Sequence, residues 1–307
     1  MKAIYHDRLG EGDCLTAQSE SHELWGGDFS LEIRWDRLHH FMTDFPETPM
    51  WMSGLTLNDR LVSSCKRYHF DLLIQGIPQK CIGLGAVFSG PEYRRQGFAA
   101  TLIQQVLSEE RRLGTEWALL YSAIDLAYYV ALGFHPLSSE RWSVGVIDLP
   151  NLSGMTSRKA RDDEWPKLRQ LFLNSLPSDV IYVVREGPED LLASVNRSEG
   201  NVLVQSGDTI LGYVNYVVNG PKLFLQDYAV SARNAGGLWS AVRNLAAEAG
   251  ATEVAGWAGQ MPPPEASRRE PRPKSWPMLA GLSPEAKSWI RSGGLAQPQH
   301  LAPIDYF

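Results

Sequence analysis

Residues 87–102 read Val87-Phe-Ser-Gly-Pro-Glu-Tyr-Arg-Arg-Gln-Gly-Phe-Ala-Ala-Thr-Leu102, a strand that runs into a loop and then into an amphipathic helix. The spacing Arg94-x-x-Gly97-x-Ala99 falls where that helix begins. The first backbone N–H groups of a helix have no intrahelical partner, and the macrodipole adds partial positive charge there. Such a turn can hold a pyrophosphate when nothing bulky blocks the approach, which is what Gly97 and the small Ala99 provide. Arg94 and Arg95 add fixed positive charge for phosphates. A glycine at a strand-to-helix turn is common on its own. The nine residues PEYRRQGFA in this setting are far more specific.

That string closely resembles the acetyl-CoA signature of the GNAT superfamily of N-acetyltransferases, whose pattern is Arg or Gln, x, x, Gly, x, Gly or Ala. A second landmark stands in register: Tyr128-Tyr129-x-x-Leu132-Gly133-Phe134 resembles the superfamily's aromatic-Tyr-x-x-Leu-Gly-Phe motif on the helix after the fifth strand. The resemblance implies that acetyl-CoA lies against Val87, Phe88 and Ser89 and near Tyr121. Its pyrophosphate would sit on Arg94, Arg95, Gln96, Gly97, Phe98 and Ala99. It also implies that the Tyr129 hydroxyl is near the thioester sulfur and acts as general acid. A departing thiolate needs a proton donor, and a tyrosine hydroxyl at ~10 and a thiol near ~8.5 can share that proton. For Tyr128 a packed core aromatic is the favoured reading.

The resemblance covers most of residues 25–145. Three strings, Val62-Ser-Ser-Cys-Lys-Arg-Tyr68, residues 83–99, and Leu120-Tyr-Ser122 ahead of Tyr128-Tyr129, look like a divergent member of the fungal-type lysine N6-acetyltransferase branch. Lys66 replaces that branch's acidic residue, Ala123 and Asp125 replace its Asp and Gly, and Arg95 replaces a glycine. Fold and cofactor survive these departures; the acceptor assignment does not.

The elements that must position these residues follow from punctuation and period. Apolar runs at 51–57, 61–74 and 81–88, separated by Asn58–Asp59 and by Gly76-Ile-Pro78, predict an antiparallel meander. From Gly97, Ala99, Leu102, Ile103, Val106 and Leu107 recur at helical spacing until Gly114. A buried strand at 117–121, a helix at 125–132 and a strand pair at 141–148 complete the unit, with a linker at 150–154. The second half repeats this order in shorter form, which suggests internal duplication: helix 162–176, strands 201–205, 210–218 and 222–230, helix 237–249, strand 252–257. Its turn, Arg233-Asn-Ala-Gly236-Gly237-Leu238, has Leu238 where a small residue should be, so a second CoA site is not expected. Residues 261–274 read as an exposed proline-rich loop whose Arg268, Arg269, Arg272 and Lys274 are solvated, and the tail includes a short helix at 284–291.

The expected architecture is therefore α/β of the α+β type. Residues 1–150 form a GNAT domain with a mixed central sheet flanked by helices, and residues 151–307 a degenerate GNAT-like domain. At 307 residues and 44% hydrophobic the chain can bury two cores. A net charge of −6 argues against nucleic acid as a partner. No run approaches ~18 apolar residues, so no membrane span is expected. Three cysteines without a CxxC pair read as free thiols in a reducing, cytoplasmic compartment. The seven histidines show no metal-ligand spacing, and His39–His40 read as surface residues of an early helix.

A general base is less legible. The central strand holds no carboxylate, and His69, Asp71 and Asp125 each read as an ordinary polar residue before a base. The terminal carboxylate of Phe307 is a further option, suggested by the enhanced-intracellular-survival acetyltransferases, where a chain end reaches the active site. The expected function is transfer of an acetyl group from acetyl-CoA to a small primary amine such as lysine, with no metal. A polyamine or aminoglycoside acceptor, and a non-catalytic acyl-CoA-binding regulatory module, stand as alternatives.

Overall fold

The structure, a computed structural model, describes residues 2–25, 29–43, 50–176, 180–184, 201–257, 263–272, 275–297 and 299–301. A short strand β1 (Ile4–His6) leads into three helices, α1 (Glu11–Glu20), α2 (His22–Trp25) and α3 (Leu31–Thr43). The meander follows as β2 (Met50–Leu57), β3 (Arg60–Ile74) and β4 (Ile77–Ser89). Its turns are tight two-residue hairpins. Asn58 and Asp59 have φ of 52° and 60°, and Gln75 and Gly76 of 54° and 74°, the left-handed pair that matches strand twist. The break expected at 76–78 is thus shorter than it reads. Pro78 is already in β4, at its second residue, where a missing N–H is tolerated.

Helix α4 (Phe98–Leu113), strand β5 (Trp117–Ser122), helix α5 (Leu126–Val130) and the two-residue strand β6 (His135–Pro136) come next. Then β7 (Glu140–Gly145), β8 (Met155–Lys159), α6 (Trp165–Ser175) and β9 (Ile181–Val183) lead to the second meander. That meander is β10 (Asn201–Ser206), β11 (Thr209–Asn219) and β12 (Lys222–Val230), followed by α7 (Ala235–Glu248) and β13 (Glu253–Trp257). The chain closes through β14 (Arg268–Pro271), β15 (Trp276–Gly281), α8 (Pro284–Arg291) and β16 (Gln299–His300).

Two sheets result. The first runs β1-β2-β3-β4-β5-β15-β6, and the second β14-β7-β13-β12-β11-β10-β8. The short β9 pairs with β3, and β16 pairs with β9, at the flank of the first sheet. The two orders match position for position, and each contains one strand from the other half. β15 lies antiparallel between β5 and β6, and β7 lies antiparallel between β13 and β14. The halves therefore exchange their last central strand. The segment read from sequence as a strand pair at 141–148 is one strand that leaves for the second sheet, followed by a 3-10 turn at Val146–Asp148. Arg268–Pro271 is a strand within what reads as loop, and Arg272 is buried, whereas Arg268 and Arg269 are exposed as expected. Lys274 lies outside the described residues.

Beneath α4 the core of the first sheet is Leu55, Ile82, Leu84, Leu102, Val106, Leu120 and Met278, so a strand from the second half completes it. A buried ionic network ties β3 to the far end of α4. The fully buried Arg67 guanidinium bridges the carboxylates of Asp7 and Glu110. Glu110 also accepts from the Thr115 hydroxyl and bonds His69 Nε2 at 2.8 Å. Burial works against the Glu110 charge, but the bonds to His69, Thr115 and Arg67 outweigh it and pull the carboxyl down to about 2. Among the described residues no helix is long and apolar enough to cross a membrane.

Candidate active site

Strands β4 and β5 are parallel, but they pair only from Cys81–Trp117 to Leu84–Leu120. Beyond that point β4 continues to Ser89 alongside β3 and β5 to Ser122 alongside β15 without pairing with each other, so the sheet splits. The split is reinforced from the other side of β4. Ser64 faces Phe88 and Lys66 faces Gly85, which leaves Ala86 and Val87 opposite the single residue Cys65. Such a bulge takes main-chain groups out of the ladder. Ala86 has φ of 46°, a left-handed conformation that a non-glycine residue holds only under constraint.

The split opens toward the turn that starts α4. Pro91–Tyr93 form a 3-10 turn, Arg95 has φ of 60°, and Gly97 caps the helix in the left-handed region with φ of 84°. Glycine is needed at Gly97 for that conformation, and a Cβ built there meets nothing within 4 Å. The first intrahelical bond runs from Thr101 N–H to Gly97 O at 2.9 Å, so the N–H groups of Phe98, Ala99 and Ala100 have no helical acceptor. Arg94, Arg95 and Gln96 are exposed around this point. Arg94 Nε donates to Ser89 O at 3.2 Å and its guanidinium lies 5.7 Å from the Phe88 ring centre. Gln96 Nε2 donates to Glu92 O at 2.7 Å, bracing the loop. Val87 and Ser89 are half-buried and Phe88 is buried. This turn suits a phosphate in space, charge and free donors.

Helix α5 brings the tyrosines under the same face as α4. Its start is capped by the Asp125 carboxylate, which accepts from Ala127 N–H at 2.9 Å. Tyr129 is 9% exposed and belongs to the core cluster that holds Leu84 and Leu120, the last paired residues before the split. Its ring packs edge-on against Tyr128 at 5.0 Å and Phe134 at 6.0 Å. Tyr128 is the more exposed of the pair, and burial raises its hydroxyl pKa.

The residues considered as a base serve other contacts. Asp125 caps α5, Asp71 pairs with Lys80 at 2.9 Å, and His69 bonds Glu110 and stacks on Trp51 at 4.3 Å. Phe307 lies outside the described residues. Among the described residues no group of three or more metal-ligating side chains converges.

Comparison with known proteins agrees with this geometry. The family description "Acetyltransferase (GNAT) domain" matches residues 32–137, which hold the split, the turn and α5. Residues 32–137 are thus a GNAT acetyltransferase domain. The chain thereby carries an acyl-CoA-dependent acetyltransferase domain, of a family whose co-substrate is acetyl-CoA. No functionally curated protein matches the sequence significantly. Solved structures share the fold. A probable N-acyltransferase from Enterococcus faecalis superposes with a TM-score of 0.73 at 14% identity, over 94% of this chain and 75% of that one. A GCN5-related N-acetyltransferase from Kribbella flavida gives 0.70 at 18% identity, over 91% and 70%. A tandem GNAT protein from the clavulanic acid biosynthesis pathway gives 0.53 at 11% identity, over 92% and 99%.

The second unit repeats the split but not the opening. β12 and β13 pair from Lys222–Glu253 to Leu225–Gly256 and then part, as β4 and β5 do. By position Tyr228 stands where Val87 does, Trp239 where Ala100 does, and Trp142 where Met278 does. These three aromatics are buried and pack edge-on at 5.4–6.4 Å, filling the space beneath α7. The start of α7 is also covered. A Cβ on Gly237 would meet Leu211 at 2.8 Å, and the Ser240 hydroxyl is engaged with the backbone of Leu152. Sequence reasoning found Leu238 but missed this aromatic fill, because Trp142 arrives on an exchanged strand.

Proposed function

We propose that the protein transfers the acetyl group of acetyl-CoA to a primary amine by direct attack on the thioester, with lysine or a related small amine as acceptor. The observation that carries this reading is the continuity of the β4–β5 split with the open, left-handed Gly97 turn. On it the pyrophosphate rests against the free N–H groups of Phe98 and Ala99 and the side chains of Arg94, Arg95 and Gln96. The pantetheine arm follows Val87, Phe88 and Ser89, and main-chain groups released by the bulge at Ala86 polarise the thioester carbonyl.

The neutral amine forms the new C–N bond and the C–S bond breaks. The proton lost by nitrogen leaves to solvent, and the Tyr129 hydroxyl supplies one to the departing sulfur and is replenished in turn. Most of the acceleration comes from holding the two reactants in line. In this reading residues 1–150 carry the site and residues 151–307 support it, with β7 and β15 exchanged between them. Three buried thiols fit a reducing compartment.

The test is release of free CoA thiol from acetyl-CoA in the presence of lysine, other amino acids, spermidine, an aminoglycoside and lysine peptides. Amine-dependent release supports the reading. Tight acetyl-CoA binding without release across the whole panel overturns it and leaves a binding module.

A further inference from the structure

One row of side chains crosses four strands of the first sheet on the face that α4 covers. Arg67 on β3 is in register with Leu84 on β4, Leu84 with Leu120 on β5, and Leu120 with Met278 on β15. Arg67 reaches Glu110 on α4, and the other three belong to the core cluster beneath that helix. None of the four is more than 3% exposed.

The middle of the row, Leu84 and Leu120, is also the last rung at which β4 and β5 pair. The split therefore ends against two packed leucine side chains. Its other end opens on the Gly97 turn. A donor whose pyrophosphate rests on that turn runs back along β4 past Ser89 and Val87, so its acyl group arrives last and deepest. The thioester carbonyl is then held at the bulge of Ala86 and Val87, and Gly85 alone separates that bulge from Leu84. Two residues of strand span about 7 Å, which leaves room for one methyl group once atomic radii are taken off. Leu102 and Val106 of α4, and Cys65 opposite the bulge, are fully buried in the same cluster. A core packed to that degree has no side exit for a longer chain.

Neither leucine is free to step aside. Leu120 has Met278, a residue of the exchanged strand, on its far flank. Leu84 has the Arg67 guanidinium, fixed between Asp7 and Glu110. The exchange of β15 and the buried ionic network thus stiffen one rung from opposite sides.

We infer that Leu84 and Leu120 are specificity-determining residues that set the upper length of the acyl donor, with Met278 and Arg67 positioning them. Resting on the donor placement proposed above, this stop admits an acetyl group and turns away chains longer by one or two methylenes.

The experiment is calorimetric binding of CoA, acetyl-CoA, propionyl-CoA and butyryl-CoA to the full-length protein, with amine-dependent thiol release measured in parallel. A misfit methylene in a closed apolar pocket costs about tenfold or more, so acetyl-CoA binds about tenfold tighter than butyryl-CoA, with propionyl-CoA between them. In Leu120→Ala the acetyl-over-butyryl ratio falls to near unity. Leu84→Val and Leu120→Val each remove one methylene, keep the fold should the alanine variant lose it, and lower the ratio about threefold. Met278→Ala lowers it partly, because Leu120 then has space to move into, whereas the volume-conserving Met278→Leu keeps it. Equal binding of acetyl-CoA and butyryl-CoA by the native protein, or a ratio that survives all three leucine substitutions, overturns the inference. Binding of none of the four ligands refutes the donor site and the stop together. Selective binding without thiol release leaves the stop in place and refutes acetyl transfer instead.

Discussion

Tyr121 and Trp257 occupy equivalent positions in the two units, and their rings stack at 6.2 Å. Each is the residue at which parallel strands part, so the two splits face one another across a shared aromatic contact. The arrangement is close to two-fold in backbone and asymmetric in chemistry. One split opens on the exposed, left-handed Gly97 turn, and the other is filled by Trp142, Tyr228 and Trp239.

The turn at Gly97 gives the first prediction. Acetyl-CoA raises the melting temperature, since a ligand bound by the native state alone stabilises it. Gly97→Ala imposes a side chain on backbone at φ of 84° and costs about 1–2 kcal/mol in the apo protein, visible as a lower melting temperature. Gly97→Glu abolishes the acetyl-CoA shift, because its carboxylate enters the open space the pyrophosphate needs. A full shift in a folded Gly97→Glu variant places the site elsewhere.

The tyrosine pair gives the second. If the Tyr129 hydroxyl protonates the departing thiolate, Tyr129→Phe lowers kcat by a large part of the ~10²–10⁴-fold typical of general acid help. Acetyl-CoA affinity changes little, because the ring stays packed against Phe134. Tyr128→Phe is nearly silent. Equal small effects of both substitutions exclude either hydroxyl from the chemistry, and a large loss in Tyr128→Phe alone moves the role to that residue.

The closed second cleft gives the third. Calorimetric titration yields one CoA per chain. Trp239→Ala removes a buried ring and destabilises by about 3–5 kcal/mol without adding a second binding event, because Gly237 remains covered by Leu211. Two equivalents bound by the native protein contradict the asymmetry described above.

The Arg67–Glu110 pair gives the fourth. The Glu110 carboxyl is lowered from the ordinary 4.5 to about 2 in the folded protein. A depressed acid contributes its stability in full above its unfolded pKa and loses it as pH falls toward the folded value. Urea unfolding should therefore show stability dropping between about pH 4.5 and 2. Glu110→Gln flattens that segment and costs about 3–5 kcal/mol at neutral pH, since it leaves Arg67 buried beside one exposed carboxylate. An unchanged pH profile in Glu110→Gln would show that other carboxyls set it.

The thiols give the fifth. Cys14, Cys65 and Cys81 are all buried, and burial pushes the first two up to about 11 and about 12 and the third well above its usual range. A thiol-specific disulfide reagent at neutral pH should modify none of them in the native protein and all three in guanidinium. Rapid native labelling of even one indicates local opening around α1, β3 or β4.

Much of the first unit was legible because its signals are local. Asn58–Asp59 demands a hairpin, the spacing of Leu102, Ile103, Val106 and Leu107 demands an amphipathic helix, and Gly97 sits where the chain must turn left-handed. The helices at 11–20 and 22–25 were not read, because their apolar residues follow no clear period and only Cys14, Ala17 and Gln18 of α1 are buried.

The sequence by itself determined the first meander, the helix over Phe98–Leu113 and the left-handed turn at Gly97, since each depends on residues a few positions apart. Only the tertiary structure decided which sheet each strand joins. β15 is an apolar run and β7 alternates buried Trp142 and Val144 with polar residues, but neither pattern names a sheet, and hydrogen-bonded backbone carries no address. The choice rests on packing beneath α4 and α7, where Met278 and Trp142 each fill a core built mainly by the other half of the chain. That exchange also brings Trp257 against Tyr121, a contact that composition, period and motif cannot encode, because it exists only once both sheets have closed.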